Sequence, residues 1–65
     1  MAIGEWEVWA CAAEMIRQHG ADAAIHAAMR ADALLFDGED EGAKTWQRIV
    51  RRINELEALP GGLLH

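Results

Sequence analysis

The sequence predicts an all-α fold, a small three-helix bundle that self-associates. Apolar residues recur at intervals of three and four over three segments, whereas no segment alternates with the period of two that is typical of strands. The only proline is Pro60, so proline interrupts none of the three segments. The helices form one domain, residues 5–59, between an N-terminal arm (1–4) and a flexible C-terminal tail (60–65). A chain of 65 residues buries only about 60% of its unfolded surface, so self-association would add stability that it needs.

The turn residues set the ends of the helices, which are predicted at about residues 5–19, 22–36 and 40–59. Gly20 suits a left-handed residue that ends the first helix, and Asp22 offers an N-cap oxygen to the second. Gly38 ends the second helix in the same way, and Glu39 or Asp40 caps the third. We therefore expect tight turns at both junctions.

The second helix is apolar over more than half of its circumference. Its apolar arc contains Ala24, Ile25, Ala28, Met29, Ala31, Leu35 and Phe36, and is extended by Ala27 and Leu34. A helix that is apolar on most sides is normally covered on most sides, and two other short helices do not provide that cover. We therefore expect a further contact, with a second copy in a homodimer or with a partner protein.

Three tryptophans favour the same expectation. Trp6 and Trp9 share one face of the first helix, and Trp46 belongs to the apolar stripe of the third. A bundle of this size has room for few indoles, and tryptophan is over-represented among interface hot spots. The candidate interface is Trp6, Trp9, Ala27, Leu34 and Trp46.

The net charge of −5 is unevenly placed along the chain. Residues 1–43 carry nine acids against two arginines, whereas residues 44–65 have a balance of +2. Nucleic-acid binding usually needs a basic surface. Only the face of the third helix with Lys44, Arg48, Arg51 and Arg52 offers one, so nucleic-acid binding is the weakest of the binding hypotheses and a basic protein partner is favoured.

Cysteine content and the N-terminal sequence bear on location. Cys11 is the only cysteine, which excludes an intrachain disulfide and suits a reducing compartment. The start "MAIGEWEVW" carries acids where a signal peptide has positive charge, and no run of about 20 apolar residues predicts a membrane span. We therefore expect a cytoplasmic protein without membrane contact.

The stretch from Asp37 to Arg48 resembles the start of a calcium loop, with alternating acids and a glycine in sixth place at Gly42. The last position of such a loop requires a bidentate glutamate, and here it holds Arg48. The stretch is therefore interpreted as the junction between two helices, in which Gly42 lets another helix approach closely.

Other chemical sites are also disfavoured. Cys11, His19, His26 and His65 lack the paired short spacings of a structural zinc site. No nucleophile–base set and no phosphate loop is present, so we expect neither a cofactor nor catalytic residues, and the protein is not predicted to be an enzyme.

Asp32 lies inside the apolar arc of the second helix, between Ile25 and Phe36. A buried carboxylate must be paired or hydrogen-bonded. Arg48, Arg52 or a tryptophan N–H would serve as its partner, so the sequence predicts a buried ion pair of Asp32 with Arg48 or Arg52, or an indole bond.

Several short motifs together resemble a known family. They are Trp-Ala-Cys-Ala at residues 9–12, Arg-Gln-His-Gly at 17–20, then His26, Arg30, and a junction with Gly38, Gly42 and Trp46. This order is similar to a family of short, uncharacterised bacterial proteins, common in alphaproteobacteria and classed as a domain of unknown function. The resemblance covers about residues 5–56; Glu39 departs from it, since the pattern has aspartate there. It implies a small helical domain and no activity, and it places His19, His26 and Arg30 in a candidate polar patch.

The sequence thus predicts a non-enzymatic protein–protein interaction module. The alternative is a small acidic inhibitor or antitoxin-like protein that occupies a basic site on a partner, because residues 1–43 are strongly acidic. The two differ in salt dependence, since charge-driven binding weakens with ionic strength and apolar docking persists.

Overall fold

A computed structural model describes residues 4–59, and these residues are almost entirely helical. The helices are α1 (Glu5–His19), α2 (Ala23–Phe36) and α3 (Asp40–Glu57). No strand occurs in this part of the chain, so the predicted all-α class is confirmed. The predicted C-terminal tail and most of the predicted N-terminal arm lie outside the described residues.

The first two helices are not separated by a loop. A single 3-10 turn (Gly20–Asp22) joins them, so residues 5–36 form one long helical segment with a bend. The Gly20 N–H still donates to the Ile16 carbonyl, and the Ala23 N–H donates to the Gly20 carbonyl. The Asp22 side chain makes no capping hydrogen bond. The prediction of three separate helices is therefore too simple, because α3 packs along one bent helix.

Glycine at position 20 allows this bend. Gly20 has φ 57° and ψ −128°, so the predicted positive φ is confirmed. Its ψ lies outside the left-handed helical well, in a region that L-residues with a Cβ rarely enter. The bend therefore depends on the absence of a side chain at this position.

The junction between α2 and α3 is a Schellman turn centred on Gly38, which has φ 80°. The Gly38 N–H donates to the Leu35 carbonyl at 3.1 Å, and the Glu39 N–H donates to the Leu34 carbonyl at 2.8 Å. This pair of bonds satisfies carbonyls that the end of a helix leaves free. Glu39 takes the N-cap position of α3, but its side chain makes no capping bond. The predicted helix-ending role of Gly38 is confirmed.

The core is small and built largely from alanine. Its cluster of buried residues consists of Val8, Ala12, Ala23, Ala27, Ile49 and Ile53. Ala31 and Ala43 are buried as well. Only Val8, Ile49 and Ile53 are larger than alanine, so the helices meet at short range over small side chains.

α2 turns its small apolar residues towards the core and its large apolar residues outward. Ala23, Ala27 and Ala31, spaced four residues apart, are the buried residues of this helix. Ile25, Met29 and Phe36 lie on the opposite side and are exposed. Since the interior of a close helix contact has no room for large side chains, the alanines face α3 and the large residues face outward.

Gly42 leaves room for a side chain of α2. A methyl group on Gly42 would lie 3.3 Å from Leu34 Cδ1, which is tighter than an ordinary van der Waals contact. The contact at Gly42 is therefore made by the Leu34 side chain of α2, and the closer approach of the helices stays a prediction.

We expect Gly20→Ala to lower the free energy of unfolding by about 1–3 kcal/mol, the usual cost of a strained backbone conformation. A methyl group at this site would meet no atom within 4 Å, so the loss is not due to a clash. Urea denaturation followed by circular dichroism measures it.

The matched control is a synthetic chain with D-alanine at position 20, for which positive φ is favourable. This chain is expected to be at least as stable as the natural one. Equal losses for the L and D residues would contradict a backbone origin.

Candidate functional site

Three exposed apolar residues form a stripe along α2, which we call the outer stripe: Ile25, Met29 and Phe36. Their exposed fractions are 60%, 61% and 92%. Leu35 lies beside the stripe and is 53% exposed. Intervals of four and seven residues place the three side chains on one helical face, so they form an apolar stripe about three turns long.

Asp32 lies within this stripe, between Met29 and Phe36 in the helical register. It is exposed, and no charged or polar residue of the described chain is buried. The prediction of a buried ion pair at Asp32 is therefore wrong. Its place within an apolar arc was inferred correctly, but that arc faces solvent because the alanines take the inward side.

Acidic residues follow the outer stripe directly in the chain. The junction after Phe36 carries Asp37, Glu39, Asp40 and Glu41, which we call the acidic turn. All four are exposed. Glu41 pairs with Lys44 at 3.8 Å, and both side chains are more than two-thirds exposed, so the pair neutralises little. The most exposed aromatic residue therefore stands next to a strongly negative surface.

Arg30, the only arginine or lysine of α2, does not offset this charge on the stripe. Its guanidinium lies 5.9 Å from the centre of the Trp46 ring on α3. Arg30 is exposed on a flank of α2 that lies nearer to the buried alanines than to the outer stripe. The outer stripe therefore contains a carboxylate and no cation.

The two histidines of the predicted polar patch come together at the bend. The rings of His19 and His26 are stacked, with centroids 4.0 Å apart and planes inclined by 18°. Zinc binds imidazole nitrogen in the ring plane at about 2.0–2.1 Å, so two stacked, nearly parallel rings do not converge on one metal ion. Arg30 contacts Trp46 instead and does not join the pair. No group of three or more potential metal ligands occurs within residues 4–59.

Arg48 and Arg52, the partners predicted for Asp32, converge on Glu5 instead. Arg48 Nη2 donates to Glu5 Oε2 at 2.6 Å, and Arg52 Nε donates to Glu5 Oε1 at 2.8 Å. Arg52 also donates to both oxygens of Glu55 and lies 5.0 Å from the centre of the Trp9 ring. These contacts hold the start of α1 against α3. We call them the α1–α3 ion pairs.

The same contacts change the acidity of Glu5. Hydrogen bonds from Arg48, and then from Arg52, lower the pKa of Glu5 below its ordinary value of 4.5. Both bonds stabilise the charged carboxylate. Nothing in the local sequence indicates this partner, because 43 and 47 residues separate Glu5 from the two arginines.

A shallow groove of about 290 Å³ lies between α1 and Trp46. Its lining residues are Ala10, Cys11, Glu14, Met15, Gln18 and Trp46. Glu14 is bound by Arg17 and by Gln18, and these bonds lower its pKa to about 2. A carboxylate that stays charged at neutral pH is poorly suited to proton transfer, so the groove has the character of an apolar depression.

The predicted interface residues divide into three groups. Trp6 is 79% exposed and Trp9 is 37% exposed, under the guanidinium of Arg52. Trp46 and Leu34 are half-buried. Trp46 packs on the core, and Leu34 packs against Gly42. Ala27 is fully buried, so its place in the candidate interface is wrong, because the alanine side of α2 faces the core.

Comparison with known proteins identifies the family. A family model described as "Family of unknown function (DUF6961)" matches residues 4–59. The chain belongs to this family. Neither the curated proteins nor the solved structures contain a match to this chain. The short motifs and the bacterial origin that the resemblance suggested stay predictions.

The match spans the whole described part of this DUF6961 chain, so α1, α2 and α3 all belong to the family domain. Within that part, none of the helices is both long and apolar enough to cross a membrane.

Glu5→Gln is expected to destabilise the protein at neutral pH, because it removes the charged partner of two arginines. Since the folded pKa of Glu5 is lower than 4.5, its contribution is complete above 4.5 and is lost as the pH falls through the folded pKa. The difference in urea midpoint between the natural chain and the variant should therefore shrink as the pH falls from about 7 to about 2.

Glu7→Gln is the matched control, because Glu7 lies in the same helical turn and makes no ion pair among the described residues. It tests the general effect of removing a negative charge near a helix N-terminus. A difference for Glu5→Gln that is independent of pH, or no larger than that for Glu7→Gln, would contradict the role of the α1–α3 ion pairs.

Proposed function

We propose that this protein is a non-enzymatic protein–protein interaction module whose docking surface is the outer stripe of α2. The observation that carries the proposal is the exposure of Ile25, Met29 and Phe36 on one helical face. Fully burying a side chain of this size gains about 1.5–3 kcal/mol relative to leaving it exposed, so Phe36, at 92% exposed, has the most to gain from an interface. Contiguous apolar surface on a small folded domain is typical of interaction sites.

The surroundings of the polar groups in the described chain favour binding over catalysis. Cys11 is half-buried, and the carboxylate nearest to it in the groove, Glu14, is held charged by Arg17 and Gln18. The stacked histidines lie at the bend, on other turns of the helical segment. These groups give no nucleophile with an adjacent base, which supports binding as the function.

The surface residues and the core residues should respond differently to substitution. Changing Ile25, Met29 and Phe36 to serine is expected to alter the free energy of unfolding by less than about 0.5 kcal/mol per site, because all three are mostly exposed. Ile49→Ala, at a residue that is 2% exposed, should cost about 2–5 kcal/mol. Urea denaturation distinguishes the two classes.

The triple serine variant then tests the docking surface. We expect the natural chain to self-associate, measured by light scattering with size exclusion, or to crosslink to a defined host protein, and the variant to lose that contact while it stays folded. Trp6→Ser is the control, since Trp6 is also exposed but lies on α1. A chain that is strictly monomeric and crosslinks to nothing, or contacts that survive in the triple variant, would refute this proposal.

A second candidate function is that of a small acidic inhibitor or antitoxin-like protein. The observation that favours it is the number of acids without an ion pair among the described residues: Glu7, Asp22, Asp32, Asp37, Glu39, Asp40 and Glu57. Such a protein would occupy a basic site through charge. Raising the salt from about 50 mM to about 500 mM should then abolish binding, whereas docking through the outer stripe should persist in part.

A further inference from the structure

We propose that the outer stripe enters an apolar groove, rimmed by lysine or arginine, on a different protein. In this complex Phe36 is the anchor and Asp32 pairs with a cation of the partner. The inference rests on the proposed function and adds the chemistry of the partner and the residues that recognise it.

The spacing of the stripe favours a groove over a flat surface. Ile25, Met29, Asp32 and Phe36 stand at positions i, i+4, i+7 and i+11 of one helix. This is the arrangement by which an amphipathic helix places its apolar face in a groove. Phe36 is 92% exposed at the C-terminal end of α2, where the chain turns away and leaves the ring accessible.

The charges around the stripe indicate which charge the rim of the partner's groove carries. Residues 22–41 contain six acids and one arginine, and that arginine lies over Trp46. The acidic turn follows Phe36 directly, and Asp32 lies between two apolar members of the stripe. A partner that covers Phe36 therefore lies beside Asp32 and the acidic turn, and a basic rim complements these carboxylates.

The same charges argue against a second copy as the occupant. In a symmetric dimer each protomer would present the same stripe to the other. Both copies of Asp32 would then be desolvated against a face that has no lysine or arginine, and a buried unpaired carboxylate is strongly unfavourable. A second copy of this chain offers apolar residues to the stripe but no cation to Asp32.

A designed helical hairpin peptide with a leucine-lined groove and a lysine rim is a suitable probe. Its counterpart has the same groove and a glutamate rim. Titration calorimetry with the whole chain gives the affinities, and amide chemical shifts give the contact site. We expect the lysine-rimmed hairpin to bind at least about tenfold more tightly, because only its rim complements the acids. The shifts should concentrate in residues 25–36.

Variants then test the named residues. Phe36→Ala should weaken binding of the lysine-rimmed hairpin at least about tenfold, and Asp32→Asn should weaken it about threefold or more. Trp6→Ala, at an aromatic residue that is 79% exposed on α1, should change the affinity less than about twofold. All three sites are exposed, so circular dichroism and urea midpoints should show intact folding.

Four outcomes would overturn the inference. They are equal binding of the two hairpins, shifts that avoid α2, equal effects of the Trp6 and Phe36 variants, and a dimer in sedimentation analysis that Phe36→Ala dissolves. The last would show that a second copy covers the stripe, which refutes the basic groove and leaves the proposed interaction function standing. A monomer that binds neither hairpin and loses no crosslink in the triple serine variant would refute both.

Discussion

Alanine at the three buried positions of α2 determines how the rest of the molecule is arranged. Ala23, Ala27 and Ala31 are buried at intervals of one helical turn, and side chains of this size let two helix axes come close. A core of this kind buries little apolar area per residue, and only Val8, Ile49 and Ile53 contribute large, fully buried side chains. The consequence appears on the other side of α2, where the large apolar residues remain in water.

The α1–α3 ion pairs complement this small core. Glu5 connects the first turn of α1 to two arginines of α3, and Arg52 also covers the Trp9 ring. Exposed ion pairs usually stabilise a fold little on their own. Here two arginines share one carboxylate and one of them also stacks on an indole, so several weak contacts act on the same helix end. They position α1 at the end that lies farthest from the bend.

The two faces of α2 link the fold to the proposed function. The alanine side stabilises the contact with α3, and the outer stripe contributes less to the folded chain because its side chains are mostly exposed. The stripe is therefore free to serve recognition, and substitutions there and in the core are separable. The acidic turn stands at the end of the stripe, so apolar and electrostatic recognition would act at the same place.

Local chemistry in the sequence determined the helices and their junctions. The apolar period of three and four gave the spans of α1, α2 and α3, and Gly20 and Gly38 marked the bend and the turn. These features depend on neighbouring residues, so they can be derived from the chain alone. Only the tertiary structure decided which side of α2 faces the core and which carboxylate binds Arg48 and Arg52. Both sides of α2 are apolar, so hydrophobicity does not choose between them, and the choice comes from the room available beside α3. The ion pairs join residues more than forty positions apart, and no pattern within either helix fixes which of the chain's carboxylates lies nearest once the helices pack.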